Sequence, residues 1–145
     1  MSNATGKPST VWLKGEGLVK EGNTAGAITP GHLVIRGTAG TFTVNGAAAE
    51  SITCMSLAQD FVGKDIDAAY VSGERFAMMY PERGAEGYCL LAAAATAVVV
   101  GSLLQYGAGG TVALRTATNR IIGQALEAVD NSAGGAAVRL RVEFF

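Results

Sequence analysis

The chain matches itself at an offset of 70 residues, and this constrains its fold more than any other feature. Residues 31–60, "GHLVIRGTAGTFTVNGAAAESITCMSLAQD", fall on residues 101–130, "GSLLQYGAGGTVALRTATNRIIGQALEAVD", without a gap. Nine of the 30 paired positions are identical, among them Gly31/Gly101, Leu33/Leu103, Gly37/Gly107, Gly40/Gly110, Ile52/Ile122 and Asp60/Asp130. The glycines fall where turns are expected, and between them apolar residues stand over apolar ones, Phe42 over Val112 and Val44 over Leu114. The lead-ins "AGAITPG" and "TAVVVG" agree loosely, and with a small slip "ERFAMMY" lies over "VRLRVEF". A period this long is not that of a solenoid. It predicts two tandem copies of one small β unit. The chain divides into a flexible N-terminal arm (1–11), a first β unit (12–80) and a second (81–145), together one compact domain.

Each unit reads as short strands. "HLVIRG" and "SLLQYG" are strands ended by glycine, and "TAGTFTV" and "AGGTVAL" are turns followed by alternating strands, so each pair predicts a hairpin. "SITCMSLA" and "IIGQALEAV" are further strands. In the second of these, Gly123 predicts a bulge or a close backbone approach. "ERFAMMYP" and "AAVRLRVEFF" close the two units. In the latter, Val138, Leu140, Val142 and Phe144 share one face and Arg139, Arg141 and Glu143 the other, the pattern of a half-buried antiparallel strand. "DNSAGG" supplies the turn residues before it. Only "AQDFVGKDIDAAYVSG" and "EGYCLLAAAATAV" leave room for a helical turn or two. The expected fold is mainly β, a compact barrel or sandwich of two tandem units of about 70 residues with minor helix.

Composition narrows the function. Half the residues are apolar, which supports a packed core, and 20 glycines against three prolines suit tight turns. A formal net charge of −1 with no charged tail argues against a nucleic-acid binder. Residues 87–114 carry no charge, but glycines break the run and no Lys/Arg cluster flanks it, so no membrane span is expected. Cys54 and Cys89, without a CxxC motif, read as two free thiols, although a disulfide remains open on sequence.

Catalytic patterns are scarce. His32 is the one histidine and has no metal-ligand spacing around it. Asp60, Asp65 and Asp67 lack the spacing of a calcium loop and read as turn residues. "GAGG" at 107–110 has no flanking GK[ST], and GxSxG is absent. No enzyme, metal or cofactor is expected. A competing reading is a small β-barrel ligand-binding or accessory module, whose polar groups would be His32, Asp60 and Asp130.

The order "VVVGSLLQYGAGGTVALRT" followed by "IIGQALEAVDNSAGGAAVRLRVEFF" resembles the capsid decoration (cement) proteins of tailed bacteriophages, with residues 100–104 and 123–142 carrying the match. The resemblance implies a structural virion protein on the outer capsid surface, made in the host cytoplasm. It would stabilise the shell by clamping adjacent major capsid proteins, without cofactor, nucleic acid or membrane. Lys7, Pro8, Ser9, Thr10, Trp12 and Lys14 would form the capsid-binding arm. Self-association, most simply as a homotrimer, is expected because the chain is small and sparsely charged, with Phe145 as an oligomer contact. Another structural virion subunit, such as a tail-tube protein, is the neighbouring alternative.

Overall fold

The computed structural model describes residues 10–46, 52–116 and 118–145. Their strands are β1 (Trp12–Lys14), β2 (Gly17–Asn23), β3 (Val34–Arg36), β4 (Phe42–Val44), β5 (Met55–Ser56), β6 (Arg75–Pro81), β7 (Glu86–Leu91), β8 (Leu103–Tyr106), β9 (Val112–Leu114), β10 (Gly123–Ala125) and β11 (Val138–Phe144). Strand makes up 43% against 4% helix, and among the described residues the helical part is two three-residue 3-10 turns, so they hold no helix layer to cover a sheet. The strands must therefore bury their apolar faces against one another.

In the second half they do so by closing a ring. β7, β11, β10, β8 and β9 pair in that order, and a parallel contact between Leu91 and Val112 joins β9 back to β7. The first half repeats the scheme more loosely. β2, β6 and β5 form a sheet, a Leu33–Met55 bridge leads from β5 to β3, β3 pairs with β4, and a parallel Thr24–Phe42 bridge returns to β2. Shifted by 70, β4 falls on β9 residue for residue and β3 falls within β8. The mainly-β fold expected from the sequence is thus what the chain forms, and of the barrel or sandwich it left open the second half forms a closed five-stranded barrel.

The turns before β3 and β8 match in detail. His32 N–H bonds to the Thr29 carbonyl and Ser102 N–H to the Val99 carbonyl, at 2.9 and 3.0 Å. A side chain closes each turn: His32 Nδ1 accepts from Thr29 N–H (3.1 Å), and Ser102 Oγ from Val99 N–H (3.0 Å). Gly31 and Gly101 hold the same position at φ +94° and +87°, a left-handed conformation that glycine adopts without strain. Behind the turns, Ile28 bridges Tyr70 and Val98 bridges Val129.

The alternation in β11 is as expected, with Leu140, Val142 and Phe144 buried. Gly123 is a close approach without a bulge. A Cβ there would run into the Glu143 carbonyl, and the β10–β11 register is unbroken. One expectation fails. "EGYCLLAAAATAV" holds no helix: its first six residues are β7, with Gly87, Cys89 and Leu91 buried, and the alanines that follow form a loop. β7 gains β1 on one side and β11 on the other, and that pairing outweighs the modest helix preference of an alanine run. Of the arm expected over 1–11, residues 1–9 lie outside the described residues, and Val11 is buried with its carbonyl accepting Tyr88 N–H at 2.7 Å. The described residues include no helix long and apolar enough to cross a membrane.

The halves share their interior. The larger apolar cluster combines the second ring (Cys89, Leu91, Leu104, Tyr106, Val112, Leu140, Val142, Phe144) with Leu33, Met55, Ile66 and Met79 of the first half. A smaller cluster of Ile28, Val34, Phe42, Cys54, Tyr70, Phe76 and Met78 fills the first ring. Both cysteines are free and buried, and burial pushes each thiol up to about 12.

Candidate functional site

The residues singled out from sequence fall into two groups. Trp12 and Lys14 belong to the entering strand β1 and Thr10 just precedes it; β1 lies along β7 with Trp12 opposite Gly87 and Lys14 opposite Glu86. Trp12 is half-buried and packs against the larger core, so its ring is partly a core anchor. Lys14 is exposed, with Nζ 3.8 Å from a Glu86 carboxylate oxygen, a spacing and exposure that give a weak, screened attraction. Thr10 Oγ1 donates to the Trp12 carbonyl. Beside them Trp12, Gly15, Glu16, Gly17, Leu18 and Glu82 line a shallow surface concavity of about 450 Å³. Lys7, Pro8 and Ser9 lie outside the described residues.

The exit strand β11 flanks β7 on its other side. Phe144 is 1% exposed and Phe145 45%, which is the division the alternation predicts. Phe145 N–H bonds to the Ile122 carbonyl, and its residue borders a small concavity with Arg83, Gly84 and Glu143. Gly84 N–H bonds to the Phe144 carbonyl and Gly15 abuts Ala85. The fold thus brings β1 and the end of β11 to the same β6–β7 turn, from opposite sides of one strand. Across the outer face, Arg141 donates from Nη2 (2.7 Å) and Nε (3.2 Å) to Glu86 Oε1, and Gln124 Nε2 to Glu143 Oε1 (2.8 Å). Arg141 with Glu86, and Gln124 with Glu143, thus satisfy one another across this face.

His32, Asp60 and Asp130 do not converge. His32 closes its turn, and burial, aided by the Arg139 charge, lowers its pKa to about 4, so it is neutral. Asp60 starts an exposed 3-10 turn. Asp130 caps the next turn through Ser132 N–H (3.0 Å) and Oγ (2.6 Å), bonds that hold its carboxyl below the usual range. Asp65 accepts Asp67 N–H in an Asx turn, the structural role its spacing suggests. Among the described residues no three His, Cys, Asp or Glu side chains cluster to hold a metal.

Sequence reasoning missed Arg139, which it placed on a solvated face. Its guanidinium donates to the carbonyls of Pro30 and Ile66 and lies 3.5 Å from Asp67 Oδ1. The side chain is 12% exposed and fastens the second half to the first. Alternation cannot reveal this, since Pro30 is 109 residues away.

No family model and no curated protein matches the chain. Among solved structures, the fold is similar to that of the N base of head fibre gp8.5 in bacteriophage phi29. The TM-score is 0.59 at 13% identity, over 90% of this chain and 95% of that one. At such identity the likeness is one of fold.

Proposed function

We propose that the chain is a structural virion protein of a tailed bacteriophage, seated on the outside of the capsid and clamping adjacent major capsid proteins. The observation that carries this reading is the fold likeness, over nearly the whole length of both chains, to the base of a phage head fibre. A small closed β scaffold with shallow surfaces and mutually satisfied polar groups supports it, since such a surface suits contact area more than chemistry. In this reading the protein has no catalytic role and needs no cofactor, nucleic acid or membrane. The units 12–80 and 81–145 act as one body. The residues before β1, with Thr10, Trp12 and Lys14, lie against the shell, where an extended segment can add to an exposed sheet edge. Phe145 contacts a second copy in a homotrimer.

The test is to mix the purified protein with expanded, undecorated capsids of its own phage and image them by electron cryomicroscopy. The expected result is added density bridging neighbouring capsid subunits, together with shells that resist heating better. Removing residues 1–9 should abolish binding and leave the melting temperature of the free protein unchanged. Density on the tail instead, or no co-sedimentation with capsids, would refute the proposal.

A further inference from the structure

The two matching turns are built alike and covered differently. In the first half, Pro30 and Gly31 are buried. A Cβ on Gly31 would lie 2.7 Å from the Tyr88 carbonyl oxygen of β7 and would collide with the Arg139 guanidinium of β11, which itself bonds the Pro30 carbonyl. The β7–β11 wall of the second half therefore closes over this turn. In the second half the same turn is bare. Val99 is 63% and Val100 67% exposed, and nothing lies within 4 Å of a Cβ on Gly101.

The walls differ in the same sense. β7 is flanked by β1 and receives the turn 29–31. Its counterpart in the pairing order, β2, is the outer strand of its sheet among the described residues, with β6 on one side and on the other only the single Thr24–Phe42 bridge just past its end. β2 is exposed over most of its length and presents Leu18 at 58% and Val19 at 51%. A seven-residue edge that no described strand pairs along its length, with exposed apolar side chains, is a surface that proteins normally cover.

We infer that the turn 99–101 of one copy docks on the β2 edge of a second copy, repeating between chains the contact that the two halves make within one. Chemistry favours this occupant. Residues 87–114 carry no charge, so the turn offers nothing to a nucleic acid, an anionic surface or a polar ligand, and its valines match Leu18 and Val19. Geometry favours it too, because each chain then has one uncovered turn and one uncovered wall. Such a contact is heterologous: it joins head to tail and closes into a ring when the rotation permits. It uses a different surface from Phe145, and it stands or falls in solution, independently of any capsid.

The test uses two full-length double variants, Val99→Asp/Val100→Asp and Leu18→Asp/Val19→Asp. All four positions are exposed, so circular dichroism and melting temperature should match the unaltered protein. Sedimentation velocity through the micromolar range, with Phe145→Ala in every sample to remove the other self-contact, should give an oligomer where the turn and β2 are unaltered and monomers for each double variant, with self-affinity weakened at least ~100-fold. Mixing the two variants should give a heterodimer that grows no further, because one intact turn and one intact β2 remain. The inference is overturned if the protein with turn and β2 unaltered is monomeric throughout that range, if either double variant keeps its oligomer, or if the mixture stays monomeric.

Discussion

Replacing Gly31 and Gly101 by alanine, one at a time, is a matched perturbation with unequal outcomes. Both residues hold the same place in the same turn at nearly the same positive φ. Each alanine therefore incurs the same left-handed penalty, about 1 kcal/mol. At Gly101 that is the whole cost, since the added methyl meets open space. At Gly31 the methyl would sit 2.7 Å from the Tyr88 carbonyl oxygen, a backbone atom of a strand paired on both sides. It would also displace the Arg139 guanidinium from the Pro30 carbonyl. Overpacking of this kind adds about 1–3 kcal/mol, so Gly31→Ala should cost about 3 kcal/mol in total. Urea unfolding at equilibrium reads both numbers. For a domain of this size the melting temperatures should fall by on the order of 10 °C for Gly31→Ala and about 3 °C for Gly101→Ala. Equal losses at the two positions would show that the second half does not close over the first turn, and the argument for an uncovered counterpart would go with it.

Two further outcomes test the same scaffold. His32 is held neutral with a pKa lowered to about 4, against 6.5 when unfolded, so below pH 6.5 the unfolded chain binds more protons. Stability should therefore be intact above that pH and fall as the pH drops toward 4, by up to about 3 kcal/mol. In a His32→Ser variant, which borrows the cap that Ser102 provides in the second half, this component of the pH dependence should vanish; a wild-type curve identical to the variant's would refute the assignment. Phe144→Ala should destabilise by about 3–5 kcal/mol, whereas Phe145→Ala should leave the melting temperature of the protein nearly unchanged, as scanning calorimetry would show.

Local signals made most of the strand order legible. The glycines at turn positions and the period of two in "VRLRVEF" identify β3, β4, β8, β9 and β11 without reference to the rest of the chain. What the sequence could not show was long-range. β7 was hidden because its outer face carries Leu90 as well as Glu86 and Tyr88, so the run lacks clean alternation, and the alanines after it imitate a helix. "SITCMSLA" shrinks to the two-residue β5, since only Met55 and Ser56 align with β6. Ring closure depends on single parallel contacts, Thr24 with Phe42 and Leu91 with Val112, and parallel contacts leave no hairpin signature. At the candidate site, the places of Trp12, Lys14 and Phe145 near the two ends of the sequence were legible at once. Their meeting at one turn was not, because it requires β1 to cross from the first half to β7.

The shared interior has a consequence for how the two halves come apart. Tyr106 reaches across to Thr53 with a hydroxyl contact of 3.0 Å, Gly110 N–H bonds to the Asn45 carbonyl, and Leu33 N–H bonds to the Gly110 carbonyl. Neither half could melt while the other stayed native, for each would strip buried apolar and polar partners from its neighbour. Two units alike in pattern thus behave as one in thermodynamics: a single cooperative transition, with a denaturant dependence set by the surface of all 145 residues and not by that of half as many.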